Sequence, residues 1–132
     1  MGIKQKLQKA FSTRTETSET HPDETLRTHY YKAMKEKVFQ ELEAIFSSRQ
    51  GYDISSISEE HGEMIVKTTR GKKTFIVVTV IMVRPYKTAV DFSINTDTAM
   101  ISDFGYSAKL ARELYEEVNK RLTFVGTGLG SE

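Results

Sequence analysis

Histidines are the first place to look for chemistry in a chain of 132 residues that has three of them and no cysteine. His21 stands in a stretch of Ser, Thr and Glu where no rigid frame would hold it. Glu59, Glu60, His61 and Glu63 offer oxygen and nitrogen donors to a metal, but the same residues also make an ordinary solvated turn. Their spacing matches no zinc signature of the His-Glu-x-x-His kind. Ser102-Asp103-Phe104-Gly105 contains the Asp-Phe-Gly of a kinase without any other kinase element. Its simpler reading is a structural turn at a helix start. There Asp103 accepts backbone N–H bonds and Gly105 permits a close approach. No nucleophile elbow, dinucleotide fingerprint or phosphate loop occurs. The sequence therefore assigns no catalytic, cofactor-binding or metal residue, and the expectation is a protein that binds without catalysing and needs no cofactor.

The absence of cysteine removes disulfides and thiolate chemistry, which fits a reducing, cytoplasmic setting. A net charge of +1 argues for neither a nucleic-acid nor an acidic partner in bulk. The longest apolar run, Phe75–Val83, falls far short of the roughly 20 residues of a membrane span. It is rich in β-branched residues and reads as a strand.

Periodicity then sets out the elements. Leu26, Tyr30, Met34, Val38, Leu42, Ile45 and Phe46 recur at helical spacing, which predicts a long first helix from Pro22 to about Arg49. Four strands follow: Tyr52–Ser58, Glu63–Thr69, Lys73–Val83 and Thr88–Asn95. Ile54 and Ile57 are three apart, which leaves the register of this strand open; a bulge would reconcile them. Leu110, Leu114, Val118 and Leu122 mark a last helix. The expected fold is α+β, a two-layer sandwich of order α-β-β-β-β-α. Its four-stranded antiparallel meander carries two helices on one face. Residues 22–125 form the single domain. Residues 1–21 are a mobile basic amphipathic segment and polar linker, and 126–132 a flexible Gly-rich tail.

Three surfaces carry the functional expectations. Ile3, Leu7 and Phe11 share a helical face flanked by Lys4, Lys6 and Lys9, a pattern suited to weak contact with an anionic membrane, though an unstructured terminus or a segment packed on its own domain is the more ordinary reading. Lys67, Arg70, Lys72, Lys73, Arg84 and Lys87 fall in a stretch without acidic residues and form a candidate basic surface. Lysines on hairpin turns are also common edge-protecting residues, and the strands lack the paired aromatics with which RNA-binding sheets stack bases. Finally, Phe75, Val77, Ile81 and Val83 occupy one side of the third strand and Ile76, Val78, Val80 and Met82 the other. Its neighbours place Lys67, Asp91 and Ser93 on one of those sides. One apolar strip is then left for a dimer partner, a peptide or a flat ligand, unless the chain's own termini cover it.

Val90-Asp91-Phe92-Ser93, followed by Ser102-Asp103-Phe104-Gly105-Tyr106-Ser107 and a helix, resembles a bacterial family of uncharacterised domains. That family carries a Val-Asp strand and an Asp-any-Gly turn before its final helix. The resemblance covers the last third of the chain and implies no activity. The reading as a whole is a small cytosolic binding domain whose partner is another protein or itself. The alternatives are peripheral membrane association through residues 1–11 and a carrier or enzyme for a small hydrophobic ligand.

Overall fold

A computed structural model describes residues 13–98, 103 and 105–128. The chain forms β1 (Arg14–Glu16), a 3-10 turn (Glu24–Leu26), β2 (His29–Tyr31), α1 (Lys35–Ser48), β3 (Tyr52–Ser58), β4 (Glu63–Thr68), β5 (Lys73–Arg84), β6 (Lys87–Asp97), α2 (Tyr106–Arg121) and β7 (Phe124–Thr127). The sheet has seven strands in the order β3-β4-β5-β6-β2-β7, with β1 also paired to β6. Every pairing is antiparallel.

This overturns the four-stranded meander. The middle of the sheet, β3 to β6, is a meander, but three short strands extend it beyond β6. The first helix does not begin at Pro22. The Leu26–Tyr30–Met34 spacing fits a helix by coincidence. Tyr30 and Tyr31 are both buried, and adjacent residues pointing to opposite sides is the signature of a strand. The helix starts only at Lys35. The polar stretch before Pro22 contributes β1, and β7 runs from Phe124 at the end of the expected domain into Gly126 and Thr127 of the expected tail. The α+β class itself stands.

β1 and β2 lie end to end along one flank of β6, Glu16 opposite Ser93 and His29 opposite Val90. Between them residues 17–28 leave the sheet as a loop. Thr17 anchors its start: its N–H donates to the Phe92 carbonyl, and its Oγ1 accepts from the Phe92 N–H at 2.9 Å.

The core lies on one side of the sheet. Val38, Leu42, Ile45 and Phe46 of α1 and Leu110, Leu114 and Val118 of α2 pack with Met64, Val66, Ile76, Val78, Val80, Val90, Phe92 and Ile94. Both helices therefore roof the same face. In β3 the pairing shifts register between Ile54 and Ser56, which returns Ile54 and Ile57 to the same face. Gly62, at φ +68, closes the β3–β4 turn where a Cβ would come within 2.4 Å of the Val80 carbonyl oxygen. That turn thus excludes any other residue on both conformational and steric grounds.

Candidate interaction face

Side chains alternate across a strand, so the residues between those of the core all point away from the helices. On β4 these are Glu63, Ile65 and Lys67; opposite them on β5 stand Thr79, Val77 and Phe75; opposite these on β6 stand Asp91, Ser93 and Asn95. The face is thus ruled by three cross-strand rows: Glu63–Thr79–Asp91, Ile65–Val77–Ser93 and Lys67–Phe75–Asn95. β5 brings Phe75 and Val77 to two of these rows and Thr79 to the third, and past Thr79 it carries Ile81 and Val83. Phe75, Ile81 and Val83 are 37%, 54% and 42% exposed, while their neighbours Ile76, Val78 and Val80 on the covered side are fully buried. At the Lys73–Asp97 end a hollow of about 310 Å³ opens beside Phe75, bordered by Lys67, Lys73, Asn95 and Asp97.

The β2 side of this face is closed off by polar chemistry. Tyr30 donates its hydroxyl to the Glu19 carboxylate, and Lys87 Nζ sits 5.3 Å from the Tyr30 ring centre. Burial pushes the Tyr30 hydroxyl up, and the Glu19 carboxylate raises it further. Asp91 accepts hydrogen bonds from Thr17 Oγ1 at 2.7 Å and Thr28 Oγ1 at 2.8 Å. Loss of water raises its carboxyl above the ordinary aspartate value, against the two threonine bonds that pull it down. On the far side of the same strands, the Tyr115 hydroxyl donates to the Val90 carbonyl at 2.8 Å and lies 3.1 Å from Thr17 Oγ1. His29 stacks on Tyr115 with ring centres 3.6 Å apart, and its Nδ1 lies 2.7 Å from the Arg27 carbonyl. This network engages its hydroxyls and carboxylate internally and ties β1, β2, β6 and α2 together. Its parts do not form a nucleophile–base pair, because His29 addresses a backbone carbonyl and a ring face.

The structure does not gather the six predicted basic residues. Lys67, Arg70, Lys72 and Lys73 are exposed around the β4–β5 hairpin. Arg84 is exposed at the other end of β5, roughly 36 Å away at the usual strand rise. Lys87 is buried against Tyr30, because its position on β6 faces the closed corner of the sheet. Ile3, Lys4, Lys6, Leu7, Lys9 and Phe11 lie outside the described residues.

Asp103 is where the turn reading put it. It is buried, and its carboxylate accepts from the Gly105 and Ser107 N–H groups and from Thr96 Oγ1. Gly105 serves by its left-handed conformation, φ 84, and not by close approach, since a Cβ there would meet nothing within 4 Å. Around His61, Ser58 Oγ lies 2.8 Å from His61 Nδ1, and Glu59 and Glu60 are exposed. Among the described residues no group of three or more His, Asp or Glu side chains is placed to hold a metal.

Sequence reasoning identified the apolar strip but missed the Thr17–Thr28–Asp91–Tyr115 network. Its members are up to 98 positions apart, and each alone is an ordinary polar residue. Comparison with known proteins gives no match to a family model, a curated protein or a solved structure.

Proposed function

We propose that this domain acts by binding through the helix-free face of its sheet, and that its first partner is a second copy of itself. The observation that carries the reading is the unequal burial of β5. Phe75, Ile81 and Val83 stand in solvent beside half-buried Ile65 and Val77, on a face that neither helix covers. Several large apolar side chains exposed on one face within a polar rim are a usual mark of a protein contact. Exposed hydrocarbon of this kind contributes roughly 25 cal/mol per Å² when removed from water, which favours association. Stacked sheets of two copies would lie about 10 Å apart with their strands nearly aligned.

No helix among the described residues is long and apolar enough to cross a membrane. A cytoplasmic setting is in keeping with that and is part of the same proposal. Membrane contact through residues 1–11 rests on sequence alone.

Sedimentation equilibrium of the full chain at tens of micromolar tests the reading. The expected result is a monomer–dimer equilibrium that Ile81→Lys shifts to monomer without lowering the melting temperature. A strict monomer over that range would remove the proposal.

A further inference from the structure

The outer edge of the sheet at β3 is a second surface, separate from the helix-free face. β3 ends the strand order, and among the described residues no strand lies beyond it. One bond fixes how its backbone faces: the Thr69 N–H donates to the Gly51 carbonyl at 2.7 Å. Residues 51 and 53 therefore aim their polar backbone groups at β4, and alternation aims those of Tyr52 and Ile54 outward. The Tyr52 N–H turns back to the Arg49 carbonyl at 3.4 Å. That leaves the Tyr52 carbonyl and both backbone groups of Ile54 on the open edge. An edge of this kind accepts an added strand.

Beside it runs a groove of about 560 Å³ between α1 and β3. Ile54 stands opposite Val66 and Ile57 opposite Met64, both core residues, so the bulge keeps the two isoleucines on the helix side. With Tyr52 they form the floor of the groove, and Ile57 is 40% exposed there. Glu43, Phe46 and Ser47 of α1 form its wall. A strand added to β3 meets hydrogen-bond partners along the edge and sets alternate side chains into the groove.

Charge selects the strand. Glu43 is exposed, and no ion pair joins it to a described residue. Asp53 is the other charged residue at the groove, but its side chain belongs to the opposite face, in the row of Lys67. No Lys or Arg lines the groove. Cations stand only at its ends: Lys35 reaches the Gly62 turn, and Arg49 is already paired with Glu113 at 3.7 Å. Glu59 and Glu60 are exposed just past Ser58. A second copy of β3 offers Glu43 no counter-charge, because Tyr52–Ser58 contains neither Lys nor Arg.

We propose that β3 and α1 form a docking groove for an extended segment of another protein. The segment pairs as a strand with Tyr52–Ile54, rests apolar side chains on Ile54 and Ile57, and places a Lys or Arg against Glu43. This surface lies away from the helix-free face and does not depend on self-association.

A phage-displayed library of random decapeptides, selected on the full chain, tests this. The expected enrichment is for peptides that combine alternating apolar residues with a Lys or Arg. The strongest of them, made synthetically, is expected to slow hydrogen exchange of the Ile54 amide about tenfold. It is expected to bind Glu43→Lys about fivefold more weakly than the original chain. Glu116→Lys makes the same change of net charge on α2 and is expected to bind normally. Unchanged melting temperatures confirm that both variants fold. No enrichment, enrichment of acidic peptides, or binding that leaves both the Ile54 amide and Glu43→Lys unaffected overturns the proposal. So does an Ile54 amide that is already slow without peptide. If it is slow at every protein concentration, another part of this chain holds the edge; if only at high concentration, a second copy does.

Discussion

The two faces of β5 are built from nearly the same amino acids and have opposite fates. Ile76, Val78 and Val80 are sealed under α1 and α2, while Phe75, Val77 and Ile81 on the reverse carry no such roof. Hydrophobicity alone does not say which face becomes core. The neighbours decide: β4 and β6 supply Met64, Val66, Val90, Phe92 and Ile94 to one side, and Glu63, Lys67, Asp91, Ser93 and Asn95 to the other. A strand that is apolar on both sides in a sheet that is apolar on one has more hydrocarbon than its own fold uses. The surplus is what the binding proposal draws on.

The comparison breaks most sharply under truncation. Ile76→Ala, on the covered face, empties a fully buried site and is expected to lower the unfolding free energy by about 2–5 kcal/mol. Ile81→Ala, on the helix-free face where Ile81 is exposed, is expected to cost the monomer less than about 1 kcal/mol. Urea denaturation of both, at a concentration where the protein is monomeric, checks this. Equal losses would show that the second face is also buried in the monomer.

A smaller effect separates the helix-free face from its polar corner. Thr17 joins Asp91 on the helix-free side to Tyr115 on the covered side through one hydroxyl oxygen. Tyr115→Phe removes the donor to the Val90 carbonyl, and Thr17→Val removes the donor to Asp91 while keeping the side chain's shape. Each is expected to cost about 1–3 kcal/mol, the range for leaving a buried polar group unpaired. Because the two hydroxyls lie 3.1 Å apart, their effects are expected to be non-additive in a double-mutant cycle. Strict additivity would show that the corner is not one network.

These contrasts also mark what the sequence could and could not show. Strands β3 to β6 and helix α2 were legible because each has enough residues to display its own period. The Ile54–Ile57 spacing is reconciled by a bulge, and the β3–β4 register contains one. β1, β2 and β7 were not legible. They are three or four residues long, too short for alternation to register; β1 is polar, β7 contains a glycine, and β2 is an aromatic His-Tyr-Tyr buried throughout. Their existence is decided by partners far along the chain: β1 by Ser93–Asn95, β2 by Thr88–Val90, β7 by β2 itself. The helical pattern from Leu26 to Met34 was a false positive of the same cause, since local spacing was read where long-range pairing governs. The apolar strip was legible, because it needs only the alternation of one long strand; the rows that give it charge and a hollow needed the pairing register.

The gentlest probe of the covered side is pH. His29 is buried against Tyr115 and Phe124, and loss of water holds its imidazole below the ordinary value of 6.5, outweighing the hydrogen bond to the Arg27 carbonyl. The unfolded chain therefore takes up this proton first as pH falls. Stability from a neutral His29 is complete above about pH 6.5 and declines below it until the folded state also protonates. Asp91 works in the opposite sense. Its carboxyl is raised in the folded state, so its contribution is greatest below its unfolded value of 3.8 and is lost as pH rises through its folded value. Thermal melts from pH 7 to 5 are expected to show a falling melting temperature whose slope shrinks in His29→Gln. If His29→Gln kept the full slope, the proton would be going elsewhere, and the stacked imidazole would have to be open to water in the native state.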